Sequence, residues 1–433
     1  MEVEKKIRSS YFFFSLGSGF FNPFLTMFAI SIGATNFQIG LLSALMSFFT
    51  VIFQLLSIPL FNFAKDKLKI YIVVNFFAGL LFIPLAYTKD VYVLIYLVVA
   101  QSVLLSISNI IRNEILIQIF PKWRRGREIG AINSISTVAN IISYTIGGIV
   151  IRMFGFVPYI FYVSFFFYSI LGNFSIFNLK LNKFIGNGKD SSIKEIIKDK
   201  EFIKFTFIVS LFSFSVGVGA PLFDLHLIRN LGFDSLELAF RAIISLLTYY
   251  FFSESVGKAC DLLGIKTIMF FGLPLISLYP FLYAIGTKPI WIYLVTILCD
   301  LGWVAFNTST FLYLSNISSE KSPSKYFAFY NSITSLFSTL GRFLSAYLVQ
   351  QMGIVNVLIL SSVLRFLTSF SFAFLHEKRK YYFVFPFPFI SFNRITSYLD
   401  EFFSTYSYII AESKKSKIDV IIRNFRKFLK EFF

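Results

Sequence analysis

Charged residues inside long apolar stretches are the first candidates for chemistry in this sequence. Asp300 lies about ten residues into an apolar run, roughly 15 Å deep at the helical rise per residue, and Arg342 and Arg365 lie at similar depth in the next two runs. Charges at that depth in a membrane are costly, and they are usually paired or functional. We hypothesise that Asp300 and Arg342 form a cavity pair that a substrate or a proton can break. A permanent structural pair, such as Asp300 with Arg365, is the alternative.

Arg112 is a second charged candidate, nearer the end of its apolar run and two residues before Glu114. Residues two apart on a helix do not face each other, so Arg112 is free to meet an anionic substrate or a carboxylate on another helix. Holding two helices together is the alternative role. Asp224, His226 and Arg229 fall near the end of another run, where we expect them to be solvated.

Polar side chains recur every three or four residues along six of the apolar runs, as expected where a helix borders a wet cavity. With the charges above, these stripes give the candidate substrate-cavity residues Asn22, Asn109, Arg112, Asn113, Asn140, Tyr144, Ser213, Asp300, Trp303, Asn307, Asn331 and Arg342. A single polar residue in such a stripe more often bonds its own or a neighbouring helix. The set as a whole suits a small polar or amphipathic organic solute.

Metal, redox and enzymatic sites have little support in the sequence. Cys260 and Cys299 match no disulfide or metal-ligand spacing, and His226 and His376 lie far apart. The sequence has no phosphate-binding glycine loop of the ATPase type and no paired acid and nucleophile. We therefore expect no cofactor, no metal and no enzyme, including an enzyme that acts on lipid.

The composition requires a membrane around these residues. Of 433 residues, 56% are hydrophobic and 15% are charged, whereas soluble domains have about 45–50% and about 25%. Helices of about 20 residues cross the hydrocarbon layer. Twelve apolar runs qualify: residues 11–32, 37–62, 70–88, 91–119, 129–151, 156–178, 203–227, 235–256, 267–286, 290–316, 326–350 and 354–375. The sequence predicts an all-α membrane protein with twelve transmembrane helices.

The positions of the basic residues set the orientation. Most of the 40 Lys and Arg lie in loops on one face, and the loops of the other face carry only Lys89, Arg152, Arg229 and Lys288. Basic loops favour the cytoplasmic side, so we expect a multi-pass plasma-membrane protein with both termini in the cytoplasm. The same distribution explains the net charge of +17 without a nucleic-acid partner.

The longest basic interval divides the chain into two pseudo-symmetric bundles of six helices. We predict an N-terminal bundle (1–178), a cytoplasmic linker (179–203), a C-terminal bundle (204–376) and a basic tail (377–433). In the tail, apolar and basic residues from 417 to 432 predict an amphipathic helix on the lipid surface.

The two halves also echo each other in sequence. Pro23 and Gly33 correspond to Pro221 and Gly232 at a nearly fixed offset along the chain. Weak internal repeats are typical of secondary transporters, in which the substrate site lies between the halves.

Three short motifs resemble those of one transporter family. Residues 257–266 read GKACDLLGIK, which resembles the G-x-x-x-D-x-x-G-x-K loop of the major facilitator superfamily. Residues 33–40 and 125–130 resemble the entries of that family's second and fifth helices. The resemblance covers roughly residues 10–376.

The resemblance implies alternating access, with the first, fourth, seventh and tenth helices lining the path. It also implies that Gly257, Asp261, Gly264 and Lys266 form a cytoplasmic gate loop whose charges meet partners in one gate state. Glycines allow the tight turn between helices that such a loop needs. We predict secondary active or facilitated transport of a small organic solute by a monomer. Coupling to protons stays open, since Asp300 could carry one.

Two alternatives stay open. The first-half counterpart of the gate loop, residues 59–68, lacks the glycines and has Phe63 at the Asp position, which fits a transport-inactive receptor or scaffold on a transporter fold. A proton-coupled multidrug exporter is the other. Residues 139–148 keep most of the small side chains of the exporters' fifth-helix motif but lack its proline.

Overall fold

A computed structural model describes residues 2–62, 67–120, 122–177, 193–318 and 323–375, and these ranges are all-helical. The longer helices are α1 (Glu2–Gly19), α3 (Asn36–Asn62), α4 (Lys67–Leu80), α6 (Val91–Ile119), α7 (Lys122–Phe154), α11 (Lys200–Gly219), α13 (Ser235–Leu263), α14 (Ile265–Ala284), α15 (Pro289–Ser318) and α16 (Pro323–Ser369). The shorter helices are α2 (Leu25–Ser31), α5 (Phe82–Leu85), α8 (Pro158–Phe165), α9 (Gly172–Phe174), α10 (Ile193–Lys198) and α12 (Leu222–Arg229).

Ten helical stretches of the described ranges are long and apolar enough to cross a membrane. The last runs for 50 residues from Lys325 to Phe374, but Gly353 interrupts it with φ 77° and ψ 169°, so two helices meet there. The segment Phe166–Leu171 is π-helical and joins α8 to α9. The prediction of an all-helical chain with many membrane-length helices is confirmed.

Matching helix breaks occur in the two halves. α1 ends at Gly19 before the short helix α2, and α11 ends at Gly219 before α12. The loops that follow α2 and α12 contain Gly33 and Gly232, with φ of 92° and 70°. A side chain with a Cβ reaches that region only at a cost, which explains glycine at both positions.

The helix after each of these glycines begins with a reciprocal cap. The Thr35 amide donates to Gln38 Oε1 (2.9 Å) and the Gln38 amide donates to Thr35 Oγ1 (3.2 Å). The Asp234 amide donates to Glu237 Oε2 (2.9 Å) and the Glu237 amide donates to Asp234 Oδ1 (2.8 Å). Such capping boxes satisfy amides that a helix leaves free at its start, and they fix where α3 and α13 begin.

The start of α1 and the end of α9 lie on one face of the molecule, which we call the linker face because the predicted linker (179–203) follows α9 in the sequence. Ser9 Oγ is 3.3 Å from Ser175 Oγ. Arg8 Nη2 donates to Glu128 Oε2 at 2.8 Å, which ties α1 to the start of α7. Glu128 is 1% exposed, so the carboxylate of this pair is well desolvated, while the Arg8 side chain is 24% exposed.

Most helix packing occurs within each half of the chain. In the first half α1 packs on α7, and α3 and α4 pack on α6; in the second α11 packs on α16, and α15 packs on α13 and α14. Two main pairs join the halves, α3 with α16 and α7 with α13. These pairs decide on which face a central cavity is closed.

Candidate functional site: a central cavity and its gate

A cavity with a volume of about 480 Å³ is lined by α11, α15 and α16. Its lining residues are Val209, Phe212, Ser213, Val216, Trp303, Phe306, Asn307, Thr310, Phe311, Leu314, Phe327, Tyr330, Asn331, Thr334, Ser335 and Ser338. They extend from the linker-face ends of α15 and α16 to the middle of those helices. Of the candidates predicted from the polar stripes, Ser213, Trp303, Asn307 and Asn331 are brought together here.

The lining side chains of this cavity are uncharged. Asn307 and Asn331 offer amide donors and acceptors, and Trp303, Phe306 and Tyr330 offer ring faces. The volume lies within the range of small-molecule sites, about 300–1,000 Å³. An ion would have no opposite charge here to offset its desolvation, so the lining suits a neutral molecule with polar groups and one flat or apolar side.

On the face opposite to the linker face, α3 and α16 close against each other. A Cβ at Gly40 would lie 2.7 Å from the Cα of Ala346, so the backbones meet at that point. Arg342 Nη1 donates to Ser43 Oγ at 3.1 Å, and Ser47 Oγ is 2.6 Å from Thr339 Oγ1. Small residues and hydroxyls therefore seal this side of the interface.

The second pair, α7 with α13, closes the same face. Ser235 Oγ donates to the Gly148 carbonyl at 2.7 Å, and a Cβ at Gly148 would lie 3.0 Å from Ala239 Cβ. Arg152 and Asp234 form an ion pair at 3.3 Å. The two halves thus meet on the opposite face, while the cavity extends toward the linker face.

The expectation that Asp224, His226 and Arg229 are solvated is wrong for His226, which is buried; Arg229 is exposed and Asp224 half-buried, but both also have protein partners. Arg229 donates to the Ala34 carbonyl of the other half. Asp224 pairs with Arg241 at 3.5 Å, and His226, 2% exposed, has Nε2 3.1 Å from the Tyr283 carbonyl. These residues lie near the end of an apolar run, but α12 packs on α2, α3 and α16, which gives them protein neighbours.

A smaller cavity of about 220 Å³ lies at this closed region. Asn22 and Tyr144 line it from the first half, and Asp224 and Arg241 line it from the second. Two predicted cavity residues are therefore placed here and not among the residues that line the larger cavity.

The structure does not pair Asp300 with Arg342, since Arg342 bonds Ser43 instead. Asp300 is 6% exposed, forms no ion pair in the described ranges, and interacts with the side chains of Ser245 and Arg241. Its Oδ2 atom has no hydrogen-bond partner among the described residues.

The alternative pair of Asp300 with Arg365 is not formed either. Arg365 is 1% exposed and donates to the carbonyls of Ile276 (3.2 Å) and Val216 (3.3 Å). Its guanidinium lies 5.7 Å from the centre of the Phe223 ring. Arg365 thus joins three helices through their backbones, a structural contact.

The first-half candidates are dispersed. Arg112 is half-buried, with its guanidinium 5.8 Å from the centre of the Tyr11 ring. Asn109 is exposed and Asn140 is half-buried, and neither lines either of the two larger described cavities. The side chain of Asn113 lies outside the described part of the chain.

The gate-loop candidates lie at the linker face between α13 and α14. Gly264 has φ 98° and its amide bonds the Cys260 carbonyl at 3.1 Å. Lys266 Nζ donates to the carbonyls of Leu375 (2.7 Å) and Ala373 (3.2 Å), at the end of the last helix. Asp261 is exposed, and a Cβ at Gly257 would meet nothing within 4 Å. Residues 63–66 of the first-half counterpart and residues 376–433 of the tail lie outside the described residues.

Arg241 and Ser43 are two functional residues that the sequence did not identify. Arg241 was visible as a charge inside an apolar run, but its carboxylate partner, Asp224, comes from α12, and no sequence spacing indicates that. Nothing in the sequence indicated that the Ser43 hydroxyl faces another helix.

Known proteins similar to this chain agree with this architecture. A sequence model described as Major Facilitator Superfamily matches residues 9–336 and, in a second match, 205–388. An uncharacterized MFS-type transporter of Methanocaldococcus jannaschii is 23% identical over 308 residues, which cover 68% of this chain and 76% of that protein.

Among solved structures, a mutant of the nucleoside transporter NupG has a TM-score of 0.69 at 14% identity, covering 87% of this chain and 100% of that one. A bacterial homolog of the human lysosomal transporter Spinster, in an inward-facing and unoccupied conformation, has a TM-score of 0.61 at 12% identity, covering 86% and 97%. These matches point to a transporter rather than an enzyme.

Proposed function

This chain belongs to the major facilitator superfamily and is a membrane transporter, and from that premise we propose that it moves a small neutral organic solute by alternating access. In the conformation described, the solute enters and leaves the 480 Å³ cavity from the linker face. The opposite face opens when α3 separates from α16 and α7 separates from α13.

One observation carries the proposal. In the described ranges the two halves close against each other on the opposite face, and a cavity of ligand size extends toward the linker face. The gate consists of contacts that can break without unfolding a helix, such as Arg342 with Ser43 and Arg152 with Asp234. Packed interfaces of this kind favour two discrete arrangements over continuous deformation.

The finer architecture is part of the proposal. If the last of the ten stretches is divided at Gly353 and residues 158–174 are counted as a span, the total is twelve. This supports two six-helix bundles with the boundaries predicted above. The loops rich in Lys and Arg support a cytoplasmic linker face in the plasma membrane, with both termini inside. We expect a monomer that needs no cofactor or metal.

Within this scheme the gate loop stabilises the linker face when that face closes. Gly264 provides the turn, and Lys266 and Asp261 provide charges that can exchange partners between the two states. In the conformation described, Lys266 holds the end of the last helix.

The solute that the cavity suits best is neutral, with a planar or apolar side and several hydrogen-bonding groups. Trp303 and Tyr330 would stack on the flat side, and Asn307 and Asn331 would bond the polar edge. Nucleosides are one class with these properties, and NupG is described as a nucleoside transporter. The known relatives do not favour a transport-inactive receptor, and the lining gives no support for a cationic drug.

Solute counterflow in proteoliposomes tests the proposal. Purified protein would be reconstituted with radiolabelled nucleosides, neutral sugars, neutral amino acids and organic anions in turn. We expect exchange of at least one neutral solute and of no anion. Binding without exchange would contradict transport, and exchange of anions alone would contradict the assigned solute class.

A matched pair of variants locates the site. Asn307→Ala removes a hydrogen bond worth about 1 kcal/mol, so the half-saturation concentration should rise about fivefold. Asn356→Ala removes an exposed amide that donates to the Met352 carbonyl of its own helix, and its exchange should match the wild type.

A further inference from the structure

We propose that the first half of the chain binds a chloride ion between Tyr11 of α1 and Arg112 of α6. The site is a cavity of about 20 Å³ near the linker face. It shares no lining residue with the 480 Å³ cavity, so the proposal goes beyond the proposed transport function and does not rest on it.

Three helices meet at this small cavity. Tyr11 of α1, Tyr71 of α4 and Arg112 of α6 line it, and the rest of the lining is apolar except for Ser10. A space of about 10–15 Å³ is enough for one water molecule, so this cavity holds one water molecule or one monatomic ion. Phosphate, organic anions and nucleosides are too large for it.

Two hydrogen-bond donors of the lining have no acceptor. The Tyr11 hydroxyl and the Nε atom of Arg112 are buried, and neither has a hydrogen-bond partner among the described residues. The guanidinium carbon lies 5.8 Å from the centre of the Tyr11 ring, so the two side chains are neighbours. A buried donor without a partner costs free energy, and a charged donor costs more. A ligand that accepts from both groups would remove that cost.

The positive charge of Arg112 is also unbalanced within the described ranges, where it forms no ion pair. The buried carboxylate described in this half is Glu128, and Arg8 already holds it at 2.8 Å. Arg112 lies seven residues before the end of α6 at Ile119, which is about 10 Å at the helical rise. A guanidinium held partly out of water at that depth is costly unless an anion balances it.

The polar groups beside the cavity are bonded to each other. Asn75, one turn after Tyr71 on α4, accepts from Ser108 Oγ (2.9 Å) and from the Tyr168 hydroxyl (3.0 Å) through its side-chain oxygen. Ser10 Oγ donates to a backbone carbonyl at 2.7 Å. Neither Asn75 nor Ser10 therefore gives Tyr11 or Arg112 an acceptor.

An anion suits these donors better than water does. A buried water needs acceptors for its own hydrogens as well as donors for its oxygen, whereas a halide only accepts. A halide also balances the guanidinium charge, which water leaves unbalanced. Because the volume admits a single atom, the ion is a halide, and chloride is the abundant one.

The bound ion would hold α1 against α6 inside the first-half bundle. The pair of Arg8 with Glu128 already ties α1 to α7 close by, and chloride between Tyr11 and Arg112 adds a second attachment of α1. A ligand that binds only the folded protein stabilises it. Chloride should therefore raise the stability of the folded chain.

Two measurements on purified full-length protein in detergent test the site, with gluconate replacing chloride at constant ionic strength. The line width of the chloride NMR signal reports binding, and we expect excess broadening that saturates as the chloride concentration rises. The thermal midpoint should rise along the same curve. At a chloride concentration ten times its dissociation constant, the ratio of folded to unfolded protein should increase about 11-fold.

Two pairs of variants locate the ion. Arg112→Gln should abolish the saturable broadening, and Lys288→Gln removes an exposed cation and should bind chloride like the wild type. Tyr11→Phe removes one hydrogen bond to the ion and should weaken binding at least about tenfold. Tyr96→Phe, which removes the hydroxyl of a 75% exposed tyrosine on α6, should bind like the wild type.

A wild-type protein without saturable broadening would overturn the proposal and leave water as the occupant. Equal binding by the wild type and Arg112→Gln would also overturn it, because the ion would then lie elsewhere. A thermal midpoint that is the same in gluconate and chloride would contradict the stabilising role. If Arg112→Gln does not fold, the comparison of Tyr11→Phe with Tyr96→Phe decides, and equal affinities of these two variants would refute the site.

Discussion

A methyl group at Gly40 should force the opposite face apart. Gly40 lies on α3 where it meets α16 of the other half. A Cβ there would be 2.7 Å from the Cα and 2.8 Å from the Cβ of Ala346. Carbon atoms in favourable contact are about 3.5–4.0 Å apart, so Gly40→Ala requires the helices to separate by about 1 Å.

The size of the effect follows from the cost of overpacking. Inserting a methylene into a well-packed contact costs about 1–3 kcal/mol. Alanine also has a higher helix propensity than glycine by about 1 kcal/mol, but that gain is equal in both conformations and cancels. At 1.4 kcal/mol per tenfold change, the closed-face conformation should lose population by about 5-fold to about 140-fold relative to the open one.

Labelling of a cysteine at Ala242 measures this change. Ala242 lines the smaller cavity at the closed face, so Ala242→Cys should react with a membrane-impermeant maleimide in proportion to the open population. Gly130→Ala is the control, because a Cβ at Gly130 meets nothing within 4 Å. Equal labelling rates in the Gly40→Ala, Gly130→Ala and parent proteins would refute this reasoning.

Further predictions concern single contacts. Gly264→Ala should lower the thermal midpoint in detergent, since a side chain at φ 98° and ψ 148° costs about 1–3 kcal/mol; Gly257→Ala, inside α13, should not lower it, because alanine favours a helix over glycine by about 1 kcal/mol. Glu128→Gln should destabilise the protein by about 1–3 kcal/mol, because it removes the charged partner of Arg8, and a denaturant titration in detergent measures this. Ser43→Ala removes the hydroxyl that accepts from the α16 arginine and should raise labelling at the closed face; labelling at the parent rate would contradict that role.

The helical class and the repeat could be predicted from the sequence, because both depend on local patterns. Apolar runs of membrane length predict helices wherever they occur. The glycines at 33 and 232 marked equivalent turns in the two halves, and both have positive φ.

The partners of the charged residues could not be predicted in the same way. Depth in a helix gives the distance of Asp300 and Arg342 from the membrane surface, but it does not give the direction in which each side chain points. Arg342 points across the interface to Ser43, and Asp300 points toward α13. A spacing within one helix carries no information about the rotation of its neighbours.

The polar stripes were informative for the second half and less so for the first. Ser213, Trp303, Asn307 and Asn331 line one cavity because α11, α15 and α16 enclose it on three sides. The equivalent first-half residues include Asn109, which is exposed outside both of the larger described cavities.

Access to the large cavity from each side of the membrane tests the central claim most directly. Ser335 lines the cavity, and Ser335→Cys protein in sealed, oriented vesicles can be treated with an impermeant thiol reagent from either side. We predict reaction from the linker face in the otherwise wild-type protein, and reaction from the opposite face once Gly40→Ala is added. Reaction from the same side in both backgrounds would contradict alternating access.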